Sequence, residues 1–507
     1  MNLKRKEAEK LAARTPSFEE MTASLHAGPR LARGMIRETR DVVAYCRKFC
    51  DEVVRPQVLE LDRGLHEDPD HLPWDFVKKA NEWGFYSLWI PRLLGGHGVN
   101  FSSLSYAMEE IGSVCLAMAN LIGVHYLGFG TLTSSGNARL MRRLAQDVVA
   151  GEKSGEPCLI SLAITEPGAG TDVEEVDLVD KANLGCQARR VDGGYEVNGS
   201  KVFISNGHLS TWHMVISYSD LARPSETTVM MAVKTGMKGF SFGRHEKKMG
   251  QRACPASELV FNDCFVPDEL VALDDRIAQT FTRSQRETGQ QMIDYVVSTS
   301  RAAVGAFGVG AARGAYEAAL KFASETVVDG ELLVNHEWAQ CWLAEMLKNV
   351  TLGRLAYAET NYANGLYGMF KLLHEEPMFS IMRLTPRFIY ERYVAPLLEK
   401  PGATAFYRKR SYDGQSSCEQ HRTSGLASIA KFAGTDFGIK NCQMALAFMG
   451  EAGLRQDRGA EKHLRDAKLL QIYEGTNQLN RLNLFKCLIA CGCDGARVFE
   501  EKEGGLS

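Results

Sequence analysis

Neither sign of charge dominates this chain of 507 residues: 59 Lys and Arg stand against 62 Asp and Glu, a formal net charge of -3. Without a basic excess no global field draws in nucleic acid or an anionic membrane, so neither is expected as a partner. Cysteine is scarce. Thirteen of them, an odd number, fall far below the density of a disulfide-stapled secreted scaffold and suit a reducing cytoplasm. Cys46, Cys50, Cys487, Cys491 and Cys493 show no CxxC spacing and have no nearby His to complete a set, so no metal is expected and buried thiols on helix faces are the reading. The opening MNLKRKEAEKLAAR lacks the apolar core and cleavage site of a secretory signal, and Glu7 and Glu9 speak against a transit peptide. One stretch, 111–138, has no Asp, Glu, Lys or Arg; Asn120, His125 and several glycines interrupt it, which predicts a buried helix and a turn rather than a membrane span.

What is present is enough sequence for about three domains. Residues 1–40 read as a charged, partly helical extension. From 41 to 155 apolar residues recur at helical spacing, with Val42, Val43, Cys46, Phe49, Cys50, Val53 and Val54 on one face. Between 156 and 275 the texture changes to short Val-, Ile- and Thr-rich segments separated by Gly, Pro, Asn and Asp, which predicts a β domain. Helical texture returns from 276 to 507, with TSRAAVGAFGVGAARGAYEAALKFASE small enough in its side chains to let neighbouring helices approach closely. The fold class is therefore α+β, with a helical domain, a β domain and a helical bundle in that order. A segment at about 363–422 reads as an insertion, carrying four of the fifteen prolines and the basic cluster Arg408, Lys409, Arg410. Two glycine-bearing runs imitate nucleotide loops. Gly194 to Lys201 has Ser and Lys in the wrong order and reads as a hairpin turn; Gly308 to Gly314 lacks a preceding strand and reads as close helix packing.

Four collinear segments carry a resemblance. LAITEPGAGTD (162–172), KVFISNG (201–207), KKMGQRACPASELVFNDCFVP (247–267) and RDAKLLQIYEGTNQLNR (465–481) resemble motifs of the acyl-CoA dehydrogenase family, and the likeness runs from about Asp41 to Leu488 apart from the insertion. The resemblance implies FAD as cofactor, an acyl-CoA thioester as substrate, an electron-transfer flavoprotein as partner and a homodimer or homotetramer. The implied reaction removes a proton from the α-carbon and sends a hydride from the β-carbon to flavin N5, which requires a carboxylate base and stabilisation of the enolate oxygen. By resemblance Glu474 is that base, and screening from water would raise its pKa. Its backbone N–H, with a flavin ribityl hydroxyl, would bind the thioester carbonyl. The base position used by other members, just before the helix arginine Arg301, is Ser300 here and carries no carboxylate. Thr165 and Ser205 match hydrogen-bonding positions around the isoalloxazine ring, Phe203 replaces a shielding Trp, and Thr171 replaces a Ser on the phosphate or thioester side. Thr476 and Gln478 match cofactor contacts from the IYEGT side, and Arg301 and Gly475 fall on the substrate side.

The match fails where the family holds flavin across a subunit boundary. The expected Arg, Phe and Gln are Thr326, Asp329 and Glu337, and a second glycine-rich element reads Ala447 to Gly453 with its Gln and one Gly lost. Losing a cation and gaining acids beside a pyrophosphate is unfavourable, which motivates the expectation that Arg408 to Arg410 replace the missing charge. A rearranged dimer or weak FAD binding are the other ways to meet the loss. An enoyl-CoA reductase or acyl-CoA oxidase, a flavin-poor scaffold and a DNA-binding relative stay open beside the dehydrogenase, the last disfavoured by the acidic end ARVFEEKEGGLS. No Arg falls between Leu116 and Tyr126, a candidate wall of the acyl cavity together with 291–300, which favours a neutral acyl chain.

Overall fold

The computed structural model describes residues 23–491 apart from Pro29, together with Cys493, Val498 and Phe499; most of the charged extension and of the acidic end lie outside them. After a short helical turn at Ala23–Ala27, the long helix α1 (Gly34–Phe49) begins inside the segment read as extension and continues through a π-helical turn, Cys50–Val54, into α2 (Arg55–Glu67). Val42, Cys46, Phe49, Cys50 and Val54 are buried along one side, as the helical spacing of the sequence requires. Helices α3 (Trp74–Glu82), α4 (Ser103–Gly112), α5 (Leu116–Ser134) and α6 (Ala138–Ser154) complete the first domain. Among the described residues α5 alone is long and apolar enough to cross a membrane, and it is buried inside the protein. Its His125 is an interior tie: Nε2–H donates to the Tyr86 carbonyl at 2.9 Å and Nδ1 accepts from the Ile160 amide at 3.1 Å. Burial pushes that imidazole down to about 4, so the ring is neutral, as this pair of hydrogen bonds demands.

Ile160–Ala163 is β1, the first strand of an eight-stranded sheet with β2 (Gln187–Val191), β3 (Gly194–Ser205), β4 (Trp212–Tyr218), β5 (Thr228–Lys234), β6 (Phe240–His245), β7 (Ala256–Pro267) and β8 (Val271–Leu273). The order is β6-β7-β3-β2-β4-β5-β8, with β1 parallel to β4. Here the hairpin reading of 194–201 is corrected. That run lies wholly within β3, and the turn is the two residues before it, Asp192 and Gly193, because Val191 already pairs with Gly194. The glycine at 199 marks a bulge instead, with a shift of the pairing between β3 and β7.

Three long helices form the second helical domain: α7 (Gln285–Glu325), α8 (Glu337–Leu366) and α9 (Ser417–Met449). Ser284 with Glu287 and Ser416 with Glu419 make capping boxes that start α7 and α9. The Gly-rich run in α7 is helix packing. A Cβ at Gly308 would lie 2.3 Å from the Gly434 carbonyl oxygen of α9, a backbone atom that cannot move aside. Gly308→Ala is therefore expected to force the two helices apart and destabilise the protein by about 1–3 kcal/mol, read as a lowered thermal midpoint. Short helices α10 (Ala460–Lys468) and α11 (Asn477–Leu484) follow.

The insertion is narrower than its sequence texture. Helix α8 runs to Leu366 and α9 begins at Ser417, so the non-regular stretch is confined to the short helices between them. It packs back on the first domain. Arg383 pairs with Glu38, and the Arg408 guanidinium donates to the Ser135 carbonyl at 2.9 Å and to Thr280 Oγ1 at 2.8 Å while covering the Phe281 ring. For Arg408 the expectation of serving a phosphate is corrected: its guanidinium is committed to holding the insertion in place, and none of the three cluster residues lines the cavity described next.

Candidate active site

The middle of RDAKLLQIYEGTNQLNR, residues 469–476, forms the connection between α10 and α11, and it is fixed from below. Lys431 of α9, with no exposed surface, donates to the Gly475 carbonyl and to Asn477 Oδ1, both at 2.7 Å. Asn480 Nδ2 donates to the carbonyls of Glu474, Gly475 and Thr476. Arg301, 2% exposed, donates to the Glu474 carbonyl at 3.4 Å and pairs with Glu174 at 3.3 Å. Held from three sides, Glu474 adopts φ 55, a left-handed conformation strained for a side chain of its kind, and Gly475 follows at φ 70.

The motifs meet at this loop. Gly250 of KKMGQR lies against α10 so closely that a Cβ there would be 2.1 Å from the Arg465 carbonyl oxygen. Next to it, Gln251 donates its amide to Asp466 Oδ1 at 2.5 Å and its side chain to the Asp466 carbonyl at 2.8 Å, and its Oε1 accepts from Asn120 of α5 at 2.9 Å. One polar cluster thus joins the β domain to both helical domains.

Around this junction lies a cavity of about 850 Å³, lined by Thr165, Thr171, Phe203, Ser205 and Glu474 among others. Of the seven non-glycine residues with positive φ among those described, three line it: Phe203 at 57°, Gln251 at 50° and Glu474 at 55°. Backbone strain of this kind costs about 1–3 kcal/mol per residue and persists where surrounding structure over-determines it, typically at functional sites. Phe203 sits where the register of β3 against β7 shifts between Lys201 and Ile204, and its ring remains 61% exposed. The turn that carries Thr165 is anchored by Glu166, whose Oε1 meets Lys201 Nζ at 2.6 Å and whose Oε2 accepts the amides of Gly185 and Cys186.

The Glu474 carboxylate faces the cavity and accepts a hydrogen bond from Ser300 Oγ at 2.5 Å. Burial, and then the neighbouring Glu174 carboxylate, push its pKa up to about 7, against the opposing pull of the Ser300 hydroxyl, Arg301 and Lys431. Lys431 is pushed the other way, down to about 7, chiefly by burial.

Four other residues singled out by the resemblance do not reach the wall of this cavity within one chain. Thr476 is the N-cap of α11, accepting from the Leu479 amide; Gln478 is exposed on the first turn of that helix. Gly475 is buried directly after Glu474, and Arg301 lies behind the loop with its guanidinium already engaged. Sequence reasoning left Glu174 and Lys431 out. A lysine among SIAKFAG, where its helical neighbours Ala427, Ser428, Gly434 and Thr435 are small, was the legible signal for the second. Glu174 offered none.

Comparison with known proteins completes the picture. Models of the acyl-CoA dehydrogenase N-terminal, middle and C-terminal domains match residues 37–152, 161–264, and 287–364 with 412–489. The chain is 26% identical over 450 residues to cyclohex-1-ene-1-carbonyl-CoA dehydrogenase of Syntrophus aciditrophicus, covering 88% of this chain and 89% of that one. It is 24% identical to benzylmalonyl-CoA dehydrogenase of Aromatoleum aromaticum, covering 89% and 97%. The solved structure of butyryl-CoA dehydrogenase from Megasphaera elsdenii superposes with a TM-score of 0.67 at 20% identity, covering 89% of this chain and 98% of that one, which speaks to the fold. The chain belongs to the acyl-CoA dehydrogenase family of flavin-dependent oxidoreductases.

Proposed function

We propose that this protein dehydrogenates a neutral acyl-CoA thioester between its α and β carbons, with Glu474 as the base that takes the α-proton and FAD as the cofactor. The observation that carries the reading is Glu474 itself: a carboxylate raised to about 7, oriented by Ser300 and held on a strained, thrice-anchored loop against the cavity. A base with a pKa near the working pH couples a useful ionised fraction to a strong proton affinity.

The residues present suit a flavin. Phe203 offers an exposed aromatic face, the hydroxyls of Thr165 and Thr171 make no side-chain hydrogen bond among the described residues, and Ser205 stands on the same wall. These four would hold the cofactor, which when bound supplies the acceptor for the β-hydride. The chain's own residues do the rest. Ser300 keeps the carboxylate aimed, Lys431 and Arg301 keep the loop from relaxing, and the Glu474 N–H would bind the thioester oxygen. Asn120 is engaged with Gln251, so the α5 face of the cavity, with Gly123, Val124 and Leu127, presents apolar surface to an acyl chain.

Transfer of electrons to an electron-transfer flavoprotein and assembly as a homodimer or homotetramer belong to the same proposal, as does a cytoplasmic setting, which the free cysteines suit. Exposed Trp338, Leu347, Leu352, Leu355 and Tyr362 along α8 support a self-association face. The purified protein is expected to carry FAD and to lose its flavin absorbance when mixed anaerobically with a neutral acyl-CoA. A colourless protein that takes up no added FAD, or a flavin left oxidised by short, long, branched and cyclic acyl-CoAs alike, would count against the reading.

A further inference from the structure

The C-terminal family match stops at residue 364 and resumes at 412, so the insertion between α8 and α9 lies outside the family match. Its first turn nevertheless enters the cavity. Met369 is the single residue of the insertion among the described ones to line it. On α5 it faces Gly130, where a Cβ would stand 3.8 Å from Met369 Cε.

Met369 is braced on every side. Its carbonyl accepts from Tyr295 OH of α7 at 3.3 Å, and that hydroxyl shares a hydrogen bond of 2.9 Å with Tyr407 from the far end of the insertion. The next residue, Phe370, is buried and stacks on Phe101 with ring centroids 4.7 Å apart. The Phe101 amide in turn donates to His374 Nε2 at 3.2 Å, and Gln415, just before α9, donates to the Tyr367 carbonyl at 2.8 Å. Both ends of the insertion therefore converge on the turn that carries Met369. Phe101 and Met369 line the same cavity as Ser300 and Glu474, so the brace fixes a wall of the site that holds the base.

We infer that Met369 is a specificity-determining residue, through which the insertion limits the bulk of the acyl group that fits beside Glu474. An unbranched thioether fills irregular apolar space well, and removing most of it leaves room that only a larger acyl group can fill. The inference rests on the acyl-CoA reading above and names its substrate class further: acyl groups small enough to clear Met369.

Two variants of the full-length holoprotein move the wall in opposite directions. Met369→Ala widens the cavity. Gly130→Ala narrows it against Met369 at ordinary van der Waals separation, and alanine is a better helix former than glycine, so that variant keeps its fold. Binding of short straight-chain, long straight-chain and cyclohexyl acyl-CoAs, with free CoA as reference, is measured by titration calorimetry, and turnover of the same panel in parallel. Met369→Ala is expected to favour the long and cyclic acyl groups over the short ones by about tenfold relative to the parent, the scale of a methylene or two in an apolar pocket. Gly130→Ala is expected to shift the ratio the other way, with free CoA unaffected in both. An unchanged ranking in both variants overturns the inference while leaving the acyl-CoA reading intact. A parent that binds no acyl-CoA more tightly than free CoA overturns both.

Discussion

Glu474→Gln is expected to slow reduction of the bound flavin by acyl-CoA by about 10²- to 10⁴-fold, the range that a positioned general base contributes. The amide is nearly the same shape as the carboxylate and its oxygen still accepts the Ser300 hydroxyl, so the loop, the cavity and acyl-CoA binding are expected to survive. What is lost is the proton acceptor. The parent's pH profile supplies an independent check. Because burial and the Glu174 carboxylate raise the Glu474 pKa to about 7, the base is increasingly protonated below that pH, and kcat/KM is expected to fall about tenfold per pH unit on the acid side. Glu174→Gln removes the like charge and should move that limb to lower pH, since the ionised base is then less disfavoured. Stopped-flow measurement of flavin reduction across pH reads both effects. A Glu474→Gln variant as fast as the parent, with the same acid limb, would remove Glu474 from the role.

The domain order was legible because each domain has its own texture: period-3.6 apolar faces in 41–155 and beyond 276, and turn-punctuated β-branched segments between them. The close approach of helices to α7 was legible too, since a helix that places glycine at 305, 308, 310 and 314 has no side chains to hold a neighbour away: the first two face α9, and the last two face the end of α4 and His463 of α10. The hairpin at 194–201 was misplaced for a physical reason. Gly and Asn inside a strand signal a bulge as readily as a turn, and only the pairing of Val191 with Gly194 shows that the chain had already reversed at Asp192 and Gly193. In the site, Glu474 was readable from its motif, and so were the wall residues Thr165, Thr171, Phe203 and Ser205. What raises the Glu474 pKa and steadies its loop was not. Glu174 lies 300 residues from Glu474 and Lys431 lies 43 residues from it, and no local pattern announces that tertiary packing stacks them under one loop. The basic cluster misled in the same way: charge alone suggested a phosphate, whereas packing spends Arg408 on the Ser135 carbonyl and the Phe281 ring.

Lys201→Met is expected to be the most destabilising single change in the β domain. Lys201 has no exposed side-chain surface and Glu166 has 2%, so the pair sits out of reach of water. Beyond its contact with Glu166 at 2.6 Å, the ammonium donates to the Ile164 carbonyl at 2.9 Å. Methionine fills nearly the same volume but leaves Glu166 as an uncompensated buried charge, a loss of about 3–5 kcal/mol. For a domain of this size that lowers the thermal midpoint by on the order of 10 °C. The consequence reaches the cavity, because Glu166 anchors the turn after Thr165, and the Thr165 carbonyl accepts the Val202 amide at 2.9 Å, one residue before Phe203. Flavin content of the purified variant should fall together with its stability. Adding Glu166→Gln separates charge from shape: with both ions gone the desolvation penalty disappears, and the double variant should regain more than half of the lost midpoint. If Lys201→Met melts with the parent, or if the double variant is no more stable than the single one, then it is not the buried ion pair that holds the Thr165 turn against β3.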